Sequence, residues 1–235
     1  MAKRIIMDKM RSTFLETINF RLRQNKSVMI FGEYGVGKTT LLSQIDTLKL
    51  NKMFIRIESL DAIEKILAHI LNESGFNVPS TRNSLSDNLK KIKDELTGVV
   101  LLIDEAQELK RSCWPYMKRI MDSSIPIIFA GTKELKSTLL NKHKDILSRV
   151  VRLELQQIDR MDIENKHSEN ADRDAIQYLL GKTESNMRIY FEYFEQCMAR
   201  AKELKKDKID MEMIENEVKL MLIGDVGEGR KHEKF

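Results

Sequence analysis

The 235-residue chain is 42% hydrophobic and 32% charged, ordinary figures for a soluble globular protein long enough to bury a substantial core. Its formal net charge of +4 permits nucleic acid as a partner without demanding it. Cys113 and Cys197 are the only cysteines and lie far apart, which excludes a disulfide framework and leaves no metal-ligand spacing.

The N-terminal MAKRIIMDKM is basic but lacks the apolar segment of a signal peptide, and the longest apolar run, Val99 to Ile103, is far too short to cross a bilayer. A cytoplasmic protein without a membrane partner is the expectation. Residues 8–24 carry Met10, Phe14, Leu15, Ile18 and Leu22 at helical spacing, with Lys9, Arg11, Arg21 and Arg23 largely on the rest of the turn. The period then changes. Short apolar runs at Ser27–Phe31, Lys52–Ile57, Gly98–Ile103, Ile125–Ala130 and Val150–Leu155 predict five strands. Helical spacing fills the gaps at 39–48, 60–71, 84–96, 106–121 and 133–147, while 76–83 (FNVPSTRN) has loop chemistry. Strands alternating with helices predict an α/β fold with a parallel sheet covered on both faces.

After Leu155 the strand signal stops. Residues 156–170 are polar, and three helices are expected at 169–180, 185–205 and 209–222. The middle one aligns Met187, Tyr190, Phe191, Phe194, Cys197, Met198, Ala201 and Leu204 in one stripe, which reads as core packing. The last stretch, GDVGEGRKHEKF, reads as frayed. The expected organisation is a helical extension (1–25), an α/β core (26–156), a small helical domain (157–223) and a flexible tail (224–235).

The chemistry concentrates after the first strand. Gly32-Glu33-Tyr34-Gly35-Val36-Gly37-Lys38-Thr39-Thr40 fits G-x-x-x-x-G-K-[ST] between a strand and a helix. Glycines let backbone N–H groups converge on a phosphate, and the helix adds its positive end. Lys38 supplies a point charge for the β- and γ-phosphates of ATP, and the Thr39 hydroxyl a ligand for Mg²⁺. The third strand ends in Asp104-Glu105. Asp104 suits the Mg²⁺ water shell, and Glu105 an attacking water, which favours hydrolysis over transfer to a substrate. Thr132, at the end of the next strand, fits a contact to that water or to the γ-phosphate, and equally a helix N-cap. Arg149, with Arg152 as fallback, fits an arginine finger acting on a neighbouring subunit; a surface arginine beside a strand is the alternative. Arg188, in the segment Ser185-Asn186-Met187-Arg188, opens the long C-terminal helix and fits a sensor of the γ-phosphate.

In order, GEYGVGKTT, LLIDEAQ, FAGT, LSRV and SNMR resemble the Walker A, Walker B, sensor 1, arginine finger and sensor 2 motifs of AAA+ ATPases, over roughly residues 26–222. Within that superfamily the DEAQ form, the Gly-Thr after the fourth strand and the small lid are similar to the DNA-transposition group of TnsC, TniB and MuB. The resemblance implies an ATPase that assembles with ATP on duplex DNA as a ring or helical filament and recruits a transposase or another protein client. It differs from MuB in having only about 25 residues before the core strand, and from these relatives generally in the polar 156–170. Thr81 and Arg82, in the loop 76–83, become candidates for sequence-independent contact with DNA phosphates. Two other readings share the core: a helicase or initiator loader of the DnaC/IstB or Orc/Cdc6 type, and a nucleotide-switched scaffold in phage defence. Orc/Cdc6 chains normally append a winged helix, which is not expected within the 13 residues after Leu222. A small-molecule kinase fits least, given Glu105 and Arg188.

Overall fold

The computed structural model describes residues 6–46, 50–57, 62–184 and 186–228. Leu48, Leu60, Ser185 and the end of the tail, 229–235, lie outside the described residues.

By their contacts, residues 9–33 and 38–156 make one compact unit. Its sheet has five strands, β1 (Ser27–Phe31), β2 (Asn51–Arg56), β3 (Val99–Asp104), β4 (Ile127–Gly131) and β5 (Val150–Glu154), in the order β2-β3-β4-β1-β5 and parallel throughout. The register pairs Val28 with Ile128 and Val151, and Ile103 with Phe129. β1, β3 and β4 are buried at every position, as central strands covered on both faces must be, whereas β2 and β5 at the edges alternate. The α/β expectation holds. Helices α1 (Lys9–Leu22), α2 (Lys38–Gln44), α3 (Ile63–Glu73), α4 (Leu85–Glu95), α5 (Trp114–Met121), α6 (Lys133–Lys142) and α7 (Lys144–Leu147) belong to the same unit. One core joins the sheet to its helices, with Trp114 and Phe129 rings 5.5 Å apart inside it.

Three expectations in this unit need correction. Arg11, placed on the polar side of α1, is buried, and its guanidinium donates to the Gln156 carbonyl at 3.0 Å. The helix expected over 106–121 is two 3-10 turns, Ala106–Glu108 and Arg111–Cys113, before α5 starts. Extended backbone at Leu109 and Lys110 separates the turns, and Pro115 fits a helix only in its first turn, which sets the start of α5. The loop 76–83 closes with a further 3-10 turn, Arg82–Ser84, capped by Thr81.

The second unit comprises residues 1–8, 34–37 and 157–235. Among the described residues four helices build it where three were expected: α8 (Arg160–His167), α9 (Arg173–Lys182), α10 (Met187–Glu203) and α11 (Met211–Glu228). The additional α8 starts at Asp159, whose carboxylate accepts from the Met161 N–H at 2.8 Å. α11 runs to Glu228, so residues 224–228 of the supposed tail are helical. The α10 stripe forms the core as expected, with Tyr190, Phe194 and Cys197 fully buried; Leu204, just past the helix end, is exposed instead. No helix among the described residues is long and apolar enough to cross a membrane.

Candidate nucleotide-binding site

The strand order β3-β4-β1 brings three strand ends together at the carboxyl edge of the sheet, where the order departs from the sequence and ligands of such folds bind. The loop after β1 is wound tightly enough to place Gly35 at φ +76° and Gly37 at φ +92°, conformations that side chains rarely adopt. Within the helical unit, to which residues 34–37 belong, a Cβ on Gly35 would also run into the Asn186 side chain, the N-cap of α10. Val36 is buried, and Tyr34 is an exposed aromatic.

Lys38 opens α2 and is buried, an unusual place for an ammonium. Its Nζ donates to the carbonyls of Gly32 at 3.0 Å and Glu33 at 2.7 Å. Burial pulls its pKa below the ordinary lysine value, and the Glu105, Asp104 and Glu33 carboxylates pull the other way. The Thr39 hydroxyl donates to Asp104 Oδ2 at 2.7 Å. Thr40 is half-buried, and its carbonyl accepts from the Ser43 hydroxyl. The Glu33 carboxylate lies outside the loop in a 2.8 Å ion pair with Lys133, which lowers its pKa.

Asp104 is 1% exposed at the end of β3, with its second oxygen accepting from the Glu105 N–H at 3.1 Å. Glu105 itself is left-handed, at φ 54° and ψ 39°. A non-glycine residue there costs about 1–2 kcal/mol. Its Oε2 accepts from Gln107 Nε2 at 2.7 Å, and Oε1 lies 3.9 Å from the Arg56 guanidinium. Gln107 Oε1 in turn accepts from the Thr132 N–H at 3.1 Å. Thr132 is the N-cap residue of α6 without a side-chain cap bond, and its buried hydroxyl has no hydrogen-bond partner among the described residues. A buried hydroxyl left in that state is costly and suits a ligand or water.

Lys38, Thr39, Asp104, Glu105 and Thr132 therefore converge, as the motifs require. Within the same unit, Arg149 and Arg152 do not join them. Arg149 precedes β5 and so stands at the opposite, amino edge of the sheet, where Nε pairs with Asp122 at 3.0 Å and Nη1 donates to the Asp145 carbonyl. Arg152 is exposed on β5, and Arg188 is exposed in the first turn of α10. Thr81 and Arg82 are exposed too; the Thr81 hydroxyl is engaged with Ser84 in a capping box. Arg56, Gln107 and Lys133 were not anticipated in the sequence. Gln107 had a weak signal, as a hydrogen-bonding side chain two residues past the paired acids.

The donor set fits Mg²⁺: a hydroxyl and a carboxylate 2.7 Å apart are hard oxygen ligands, and this ion completes its shell with water and phosphate. Among the described residues no cluster of three or more His, Cys, Asp or Glu offers an all-protein metal cage.

A family model described as AAA domain matches residues 21–139, just over half of the chain. Comparison with curated protein sequences gives no match. Among solved structures, the ORC2 protein of Aeropyrum pernix in ADPNP–ADP complexes superposes with TM-score 0.69 at 14% identity, covering 89% of this chain and 66% of that one. The Holliday junction branch migration motor RuvB of Thermotoga maritima gives 0.61 at 16%, covering 92% and 70%. Drosophila ORC bound to DNA gives 0.62 at 13%, covering 90% and 60%. The chain thus spans about two thirds of these proteins' length, and at such identities the likeness is one of fold.

Proposed function

The chain belongs to the AAA domain family, and on that premise we propose that it hydrolyses ATP to ADP and phosphate and uses the cycle to assemble on duplex DNA. The observation that carries the hydrolytic part is the buried Lys38 ammonium beside the Thr39–Asp104 contact, with Glu105 next in the chain. In this reading the bare backbone of the Gly32–Gly37 loop cradles the phosphates, and Lys38 exchanges its two carbonyl partners for β- and γ-phosphate oxygens. Thr39 and Asp104 would hold Mg²⁺, which supplies charge neutralisation across those phosphates. The Glu105 carboxylate takes a proton from water as the water oxygen bonds to the γ-phosphorus and the bond to ADP breaks. The Thr132 hydroxyl donates to that water or to the γ-phosphate. Arg149 of a neighbouring subunit balances the charge that develops, and Arg188 reports whether the γ-phosphate is present.

The DNA part is supported by the net charge of +4 and by what the structural neighbours are: an ORC bound to DNA and a Holliday junction motor. The finer assignment, target selection in DNA transposition with a transposase as client, rests on the DEAQ and Gly-Thr resemblance. The likeness to ORC2 favours an initiator-type role as the second reading.

Turnover of ATP with and without duplex DNA, in the wild type and in Glu105→Gln, tests the proposal. The variant should bind ATP and lose on the order of 10²- to 10⁴-fold in kcat, and electron microscopy should show it trapped in DNA-dependent assemblies. Undiminished turnover in Glu105→Gln would sink the hydrolytic reading; assembly indifferent to DNA would sink the DNA part.

A further inference from the structure

We infer that Gln107 is a positioning residue for hydrolysis, fixing the Glu105 carboxylate to the end of β4; this rests on the hydrolytic reading above. Its carboxamide spans two groups that come from different strands. Nε2 donates to Glu105 Oε2 at 2.7 Å, and Oε1 accepts from the Thr132 N–H at 3.1 Å. The orientation is unambiguous, because an ionised carboxylate only accepts and a backbone N–H only donates. Glu105 needs such a restraint. Its backbone is held in the left-handed region, its other oxygen has Arg56 only at 3.9 Å, and the side chain is partly exposed.

The fold leaves room for this bridge at Gly131. A Cβ on Gly131 would stand 2.6 Å from Gln107 Oε1 and 2.9 Å from Leu135 Cδ2. The missing side chain at 131 is what lets the carboxamide reach the Thr132 N–H. The bridge also ties Glu105 to the residue whose buried hydroxyl has no partner among the described residues, so the proton acceptor and that donor share one rigid frame. Loss of about 1 Å in such placement can cost on the order of 10²-fold in rate.

The test measures kcat together with the Kd of a non-hydrolysed ATP analogue in the wild type, Glu105→Gln, Gln107→Ala, Gln107→Glu, Gly131→Ala and the double variant Gly131→Ala/Gln107→Ala. Gln107→Ala should lower kcat on the order of 10- to 100-fold while Kd moves less than about threefold. Gln107→Glu keeps the volume but sets an oxygen against the Glu105 carboxylate, so it should be no better than alanine. Gly131→Ala should lower kcat as well, and the double variant should lose less than the product of the two single effects, since the Gln107 contact is broken in both while the crowding of Leu135 belongs to Gly131→Ala alone. Wild-type kcat in Gln107→Ala or Gln107→Glu, with Glu105→Gln inactive, overturns this inference alone. Absent turnover in the wild type, or full turnover in Glu105→Gln, overturns the hydrolytic reading with it.

Discussion

Two cations bracket the sheet, and their surroundings differ in kind. Lys38, at the carboxyl edge, is 8% exposed and held by two backbone carbonyls of a loop that its own glycines shape. Arg149, at the amino edge, has a side chain 38% exposed and is tied by one ion pair to Asp122 and one carbonyl. The first arrangement is built before any ligand arrives, and the ammonium has already lost most of its water. The second is a surface tether of the kind worth about 0–1 kcal/mol, which a better partner can displace. A preorganised cation suits a site completed within the chain; a loosely parked one suits a group lent to another molecule.

Geometry sharpens the contrast. β5 has five residues, so at about 3.3 Å each it sets Arg149 roughly 16 Å along the sheet from the edge where the glycine loop emerges. If Arg149 serves a phosphate, it serves a neighbour's. The largest effect expected is accordingly on turnover: Arg149→Ala should lower kcat on the order of 10³-fold, the scale of an arginine finger. Mixing it with Lys38→Ala should restore part of the activity, because each variant supplies the half that the other lacks. No recovery at high protein concentration would break the comparison, leaving Arg149 a surface residue.

The legibility of these regions in the sequence follows the range of the interactions that make them. The glycine loop was readable because its strand, loop and helix are consecutive, and β1 and β3 because both faces are buried. The stretch 106–121 shows a partial success. Ala106, Leu109, Cys113, Trp114, Met117 and Ile120 are all buried as helical spacing predicts, yet the hydrogen bonding is 3-10 and extended until Trp114. Periodicity reported which side faces the core, and it could not report the left-handed turn at Glu105 that starts the deviation. α8 escaped because only Ile163 and His167 of its eight residues are buried, too few to mark an apolar face. Gln107 was visible as a residue, but its partners depend on that turn and on a strand end 25 positions away.

Lys38→Ala probes the other side of the comparison, with a smaller effect read on binding. Charge-assisted hydrogen bonds contribute about 1.5–3 kcal/mol each, so losing those to two phosphates should weaken ATP at least on the order of 100-fold. Micromolar affinity retained in the variant would mean that the buried ammonium is not what grips the triphosphate. The loop would then be an ordinary glycine turn with an incidental lysine.

Arg82 extends the contrast to the smallest effect. Like Arg149 it is an exposed cation, but it stands in the first residue of a 3-10 turn whose cap, Thr81, is already committed to Ser84. Only the guanidinium is then available to a DNA phosphate, and one phosphate contact releases about one counterion. Arg82→Ala should therefore reduce the slope of log K against log salt for duplex DNA by about 1 and weaken all sequences alike. An unchanged slope would mean that this turn makes no contact with DNA phosphates.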